Sequence, residues 1–281
     1  FILVSCNQKS EKAVMTKQYS IEQLYKNLSV YSAGFNTDET KILIGNNKTG
    51  IYNVYDLTIA DTLSKALTTS KKESFYAASY LPGSSKFLYS ADKGGDENSH
   101  LYLRSETDSI AKDLTPWPKS KNSFYGWSGD KKNMYVSSNR REEQFFDLWK
   151  LDTVSWKPIT IYQNDSGLEA GGISKSERYI ALTKSITSDK NELFLYDTKN
   201  KKMKRISNDN EAIWNPMDFE KNDSIMYYTT NDGREFTYLA KYNINSLNVD
   251  WVKTAGSTGF DGANELAIDN LGNIYVTGLL S

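Results

Sequence analysis

The sequence predicts an all-β propeller of about six four-stranded blades, or five complete blades and a partial sixth, because two markers recur in a single register. Short apolar triplets, Ile42-Leu43-Ile44, Phe87-Leu88-Tyr89, Met134-Tyr135-Val136, Ile180-Ala181-Leu182, Ile225-Met226-Tyr227 and Ile274-Tyr275-Val276, return every 45 to 49 residues. That is the length of one propeller blade. A second pattern, polar then apolar then large apolar, follows the first five triplets by about 9 to 13 residues: Asn53-Val54-Tyr55, His100-Leu101-Tyr102, Asp147-Leu148-Trp149, Glu192-Leu193-Phe194 and Thr237-Tyr238-Leu239. Turn-forming residues stand just ahead of each triplet: Asn36 to Glu39, Pro82 to Ser85, Ser128 to Lys131, Ser174 to Glu177, Lys221 to Asp223 and Asp269 to Gly272. Asn, Asp, Ser and Gly suit such turns because they bond their own main chain or tolerate left-handed backbone.

Taken in chain order, the first element is a short helix over 20–28. Ser20 stands three residues before Gln23 as a capping box, and Ile21, Leu24, Tyr25 and Leu28 share one face, which predicts packing against the propeller. Five similar blades then span 30–246, each read as strand, tight turn, strand, loop, strand. The third repeat shows all four strands, at Phe124 to Trp127, Met134 to Ser138, Leu148 to Leu151 and Pro158 to Tyr162. A sixth repeat covers 247–281.

The 281 residues hold enough chain for a substantial core. Aromatic residues make up 13%, with 19 Tyr and only 5 Pro, and the mean hydropathy is -0.60, a composition that favours strands. The 34 basic and 35 acidic residues are interleaved, so no field draws nucleic acid or an anionic membrane. A lone cysteine rules out an internal disulfide and any cysteine cluster for a metal.

That cysteine is Cys6. Leu3-Val4-Ser5-Cys6 resembles the lipobox of bacterial lipoproteins, in which a small residue precedes a cysteine that takes a lipid. On this reading residues 1–5 are a signal-peptide remnant, 6–19 are the lipidated cysteine and a polar tether, and the chain is held at the bacterial cell envelope, facing periplasm or exterior. A buried or incidental cysteine is the alternative.

Two stretches carry a family likeness. Tyr19 to Asn27 with Asn46 to Tyr55, and Ser137 to Arg141 with Phe145 to Trp149, resemble the N-terminal propeller of prolyl oligopeptidase family serine peptidases from residue 19 to about 245. Blades of the Tol translocation proteins share this turn-and-strand grammar. In the peptidases the propeller precedes an α/β-hydrolase domain with a Gly-x-Ser-x-Gly elbow, Asp and His. The pieces here, Gly126-Trp127-Ser128-Gly129 and Gly83-Ser84-Ser85, fall in blade turns, and the single histidine, His100, occupies a slot that other repeats fill with Asn53, Asp147, Glu192 and Thr237. No catalytic residue is therefore assigned. The tail, from Asp250 to Gly278, resembles a propeller repeat found in tandem in bacterial surface proteins (the SBBP repeat).

The remaining candidates are ligand loops. Arg140 and Arg141, with Glu142, present paired guanidiniums that suit a peptide carboxylate; the plainer reading is a solvated loop with local Arg-Glu pairing. Asp92 to Asn98 has oxygen ligands without the spacing of a calcium loop, and Asp261 with Asp269 reads as turn capping, so no metal or cofactor is assigned. Three functions follow. The first is a non-catalytic, envelope-anchored propeller that binds a peptide, protein or glycan through its loops, touching membrane only through its lipid and binding no nucleic acid. The second is the substrate-gating propeller of a secreted peptidase, and the third a Tol-like structural propeller in an envelope complex.

Overall fold

The computed structural model describes residues 17–253, 262–269 and 273–279. Cys6 and its tether up to residue 16, and Asp261 in the tail, lie outside the described residues. The chain forms five successive four-stranded antiparallel sheets and a final two-stranded one. Sheet one is β1 (Val30–Phe35), β2 (Lys41–Asn46), β3 (Asn53–Thr58) and β4 (Ser64–Ala66); sheet two is β5 (Tyr76–Tyr80), β6 (Phe87–Ala91), β7 (His100–Arg104) and β8 (Lys112–Asp113). Sheet three is β9 (Asn122–Trp127), β10 (Asn133–Glu142), β11 (Phe145–Asp152) and β12 (Pro158–Tyr162); sheet four is β13 (Glu169–Ile173), β14 (Tyr179–Ser185), β15 (Asn191–Asp197) and β16 (Lys202–Arg205). Sheet five is β17 (Trp214–Phe219), β18 (Ile225–Thr230), β19 (Tyr238–Asn243) and β20 (Asn248–Lys253), and sheet six is β21 (Gly262–Ile268) with β22 (Ile274–Leu279). Each sheet is a meander in which every strand pairs with its neighbour in sequence.

Every apolar triplet falls on a second strand, and in the first five sheets the turn before it closes in one way. In sheets one to five the amide of the first turn residue donates to a carbonyl five positions on, as in Asn36 to Lys41, Leu81 to Lys86, Ser128 to Asn133, Ser174 to Tyr179 and Glu220 to Ile225. The first residue's side chain reinforces this closure in three blades, accepting from the amides of Lys41, Asn133 and Tyr179. The fourth turn residue takes left-handed backbone at Glu39, Lys131, Glu177 and Asp223, with φ between 56° and 63°. Such backbone is uncommon for residues with a side chain and is held here by the surrounding hydrogen bonds.

Alternation along the second strands builds the core between sheets. Leu43, the middle residue of its triplet, faces sheet two with Val54 and Leu67, while the flanking Phe87 and Tyr89 meet it from the other side. Leu88 then faces Met134 and Val136, Tyr135 faces Ile180 and Leu182, and Ala181 faces Met226 and Tyr228. Each fully buried Leu, Ile, Val, Phe or Met among them contributes about 1.5–3 kcal/mol, and face-to-face sheets need such bulk to fill the gap between them. In sheet five the expected triplet Ile225-Met226-Tyr227 is one residue out of register, since Met226 and Tyr228 face sheet four while Ile225 and Tyr227 face Leu266 of sheet six. Six consecutive buried residues over β18 leave no alternation from which the phase could be read.

Two further expectations are corrected. β20 completes sheet five, so residues 247–253 do not open the sixth repeat. The helix α1 is limited to Ile21–Tyr25; its capping box forms as expected between Ser20 and Gln23, but its apolar face does not pack. Ile21, Leu24, Tyr25 and Leu28 remain 58–87% exposed among the described residues. A helix this short gains little from propensity alone.

First strands of successive sheets touch one another, β1 with β5, β13 with β17 and β17 with β21, and therefore lie along the axis. The turns after them gather at one end, here the turn end. The loops between second and third strands, and the links from each sheet to the next, gather at the opposite, link end.

Candidate functional site

At the link end the long β10–β11 hairpin carries Arg140, Arg141 and Glu142. Arg141 donates through Nε to Asp147 Oδ2 at 2.8 Å and through Nη2 to Asp147 Oδ1 at 2.9 Å, the bidentate geometry that suits a guanidinium and a carboxylate. The same Nη2 reaches the Asn164 carbonyl at 2.8 Å and Asp165 Oδ1 at 3.0 Å. Hydrogen bonding to Asp147 raises the Arg141 pKa above its ordinary value. The Arg-Glu pairing expected within this loop is thus replaced by an Arg-Asp brace from hairpin to link. Arg140 goes elsewhere: its guanidinium lies 4.1 Å from the centre of the Trp117 ring and 4.7 Å from that of Trp149. Partial burial there lowers its pKa. Glu142 is exposed at the end of β10, opposite Phe145. The two guanidiniums do not converge on one anion, and only Arg140 retains an open edge beside an aromatic wall.

The slot shared by Asn53, His100, Asp147 and Glu192 has a structural use in each of the first four blades, while Thr237, its expected member in the fifth, lies just ahead of β19. The slot ties the third strand to the chain at or just beyond the fourth. Asn53 Oδ1 accepts from Thr68 Oγ1 and the Ser70 amide, at 2.9 and 2.7 Å. His100 Nδ1 lies 2.7 Å from Asp113 Oδ2, Asp147 Oδ1 accepts from the Asn164 amide at 2.8 Å, and Glu192 pairs with Arg205 at 3.1 Å. The amide that Asp147 binds comes from the link after β12. The turn serines are committed too. Ser128 Oγ accepts from the Asn133 amide and donates to Asp130, and Ser84 Oγ accepts from the Lys86 amide. His100 is held in sheet two by Asp113, beside the Tyr102 ring at 6.3 Å.

A cavity of about 1020 Å³ opens at the turn end of the axis. Its walls include Trp127, Ile173, Phe219 and Ile268, which are the last residues of the first strands of sheets three to six. The residues that follow them, from Gly129 to Lys131, Ser174 to Ser176 and Glu220 to Asn222, form the rim. Cross-sheet bonds hold this end together. Trp127 Nε1 donates to Ser79 at 2.9 Å, Tyr135 to Glu177 at 2.7 Å, and Ser174 to Asp223 at 3.0 Å. Reading the sequence identified these residues as turns but not as lining. The signal was present in their shared turn position, since an axial meeting point is implied once first strands are known to be innermost.

Five four-stranded meanders packed face to face, with first strands inward and a cavity at one end of the axis, define a β-propeller. Residues 64–254 match the family model described as the prolyl oligopeptidase N-terminal beta-propeller domain, and the chain belongs to that family. Dipeptidyl aminopeptidase BIII from Pseudoxanthomonas mexicana is 34% identical over 133 residues, which are 46% of this chain and 19% of that protein. The chain thus matches about a fifth of this curated relative's length. Among solved structures, prolyl oligopeptidase B from Galerina marginata aligns with a TM-score of 0.60 at 13% identity, covering 89% of this chain and 41% of that one. Oligogalacturonate lyase from Vibrio parahaemolyticus gives 0.57 at 15%, covering 86% and 68%, and TolB from Acinetobacter baumannii gives 0.51 at 16%, covering 76% and 52%. At these identities the structures share the fold alone. The family match ends at residue 254, so the likeness of the tail to a tandem bacterial repeat rests on sequence alone.

Proposed function

We propose that this chain is the substrate-gating propeller of a secreted serine peptidase of the prolyl oligopeptidase family, acting with an α/β-hydrolase domain that supplies the chemistry. The observation that carries this reading is the 34% identity over 133 residues to a dipeptidyl aminopeptidase, beside the family match over residues 64–254. The disposition of candidate groups supports it: Ser84, Ser128 and His100 are all engaged in turns and strand ties, so the propeller's share in the reaction is access and orientation. In a four-stranded meander the fourth strand ends at the link end, so a domain that follows the last blade leaves from the face that carries Arg140, Trp117 and Trp149. There they can meet a peptide that passes between the two domains. The test uses the native polypeptide. The species carrying peptides from 64–254 is isolated from its source, treated with a fluorophosphonate, and assayed on dipeptidyl chromogenic substrates. Covalent labelling with turnover is expected; a species that neither labels nor turns over substrate ends this reading.

A second reading is favoured by Leu3-Val4-Ser5-Cys6 and by the likeness in fold to TolB. In it the chain is an envelope-anchored propeller, lipidated at Cys6, whose loops bind a peptide, protein or glycan. A palmitate analogue fed to a bacterial host then labels the wild type and not Cys6→Ala; equal labelling of both removes the anchor.

A further inference from the structure

We propose that the cavity at the turn end is a binding site for acidic peptides, with Lys131 and Lys221 as its anion-binding groups. The cavity is bounded by three lysines and three carboxylates: Lys131, Lys175 and Lys221, and Asp130, Glu220 and Asp269. The carboxylates are already bonded within the protein. Asp130 accepts from Ser128 Oγ at 2.7 Å and the Lys132 amide at 3.1 Å, bonds that lower its pKa. Glu220 accepts from Tyr227 at 3.0 Å and Ser224 at 3.1 Å, and Asp269 from the amide and side chain of Asn273 at 2.8 and 2.7 Å. The ammonium groups stand differently. Lys175 has one loose pairing, 3.7 Å from Asp218, while Lys131 and Lys221 have no ion-pair or hydrogen-bond partner among the described residues. A ligand at this mouth therefore meets unused cationic donors and carboxylates whose acceptor capacity is partly spent.

Size and walls select the rest of the ligand. A volume of about 1020 Å³ accommodates several residues of extended chain. Trp127, Ile173 and Ile268, each partly exposed, offer apolar surface to the stems of its side chains, with the buried Phe219 behind them. Bonds between sheets hold the walls in place before any ligand arrives: Glu177 accepts from Tyr135 at 2.7 Å and Lys150 at 2.5 Å, and Asp223 accepts from both Ser174 and Ser176. A preformed site loses less entropy on binding. Because this face lies opposite the link end, it stays open to solvent when a domain docks there, and the assignment holds whether or not a hydrolase is attached.

The probes are an acetylated, amidated hexapeptide with two glutamates, its glutamine twin and its lysine twin, titrated calorimetrically into the chain. The glutamate peptide is expected to bind about tenfold or more tightly than either twin, and to weaken as salt rises from ~50 to ~500 mM. Lys131→Gln with Lys221→Gln is expected to lose about tenfold in affinity while keeping the wild-type melting temperature. Lys184→Gln, an exposed change on β14 away from the lining, is expected to bind as the wild type does. Absence of glutamate-peptide binding, equal binding of the twins, or full affinity in the double variant would each overturn the assignment.

Discussion

Removing the Asp147 carboxylate should unfold sheet three from its link end. Its side chain is fully buried, accepting two bonds from Arg141 and one from the amide of Asn164, itself 1% exposed. In Asp147→Ala the Asn164 amide is left buried without its acceptor, which costs about 1–3 kcal/mol. Arg141 is one-third exposed and keeps Asp165 as a partner, so losing the pair itself adds no more than about 1 kcal/mol, and the total is about 3 kcal/mol. For a domain of this size each kcal/mol moves the midpoint by about 2–4 °C, so the variant should melt about 6–12 °C below wild type. Asp147→Asn keeps an acceptor for the Asn164 amide and should lose roughly half as much. Thermal melts followed by far-ultraviolet circular dichroism measure both. A midpoint for Asp147→Ala within about 2 °C of wild type would show that the brace contributes nothing, and the structural account of this slot would fail.

Trp149 packs against the core between sheets two and three, and its buried Nε1 has no hydrogen-bond partner; Trp149→Ala should cost about 3 kcal/mol and Trp149→Phe much less, as read by urea denaturation. A Cβ on Gly171 would overlap the Pro216 ring where the first strands of sheets four and five meet, so Gly171→Ala should lose about 1–3 kcal/mol in the same assay; an unchanged midpoint would mean that the two strands are not in contact. Burial holds the Tyr31 and Tyr89 phenols neutral, pushing their pKa from 10.0 to about 12, so their contribution to stability is present below pH 10 and is lost as pH rises towards 12. Absorbance at the tyrosinate band should then rise together with loss of circular dichroism over that window, and ionisation well before unfolding would contradict their burial. Residues 1–281 on their own should take no fluorophosphonate label, and label that is lost in His100→Ala would reverse the assignment of that ring to Asp113.

Blade number and strand order were legible because a blade is local. Its strands pair in sequence order across short turns, and both the turn chemistry of Ser128 or Ser174 and the alternation around Leu88 or Tyr135 act within a few tens of residues. The same locality explains what was missed. Over Ile225–Thr230 every position is buried, so the phase of sheet five was set only when Met226 and Tyr228 met sheet four. The exposed face of α1 shows the converse, an amphipathic pattern with no surface brought to it among the described residues.

The sequence by itself determined the repeat, the position of each turn and the slot filled by Asn53, His100, Asp147 and Glu192, since one backbone geometry recurs in every blade. Tertiary structure alone decided that Arg141 binds Asp147 while Arg140 turns to Trp117 and Trp149, and that Trp127, Ile173, Phe219 and Ile268 meet at one end of the axis. Those residues stand about one blade apart, at 127, 173, 219 and 268. Hydrogen bonding within a sheet places each at the end of its own first strand, but only the packing of sheet on sheet turns those ends toward a common centre.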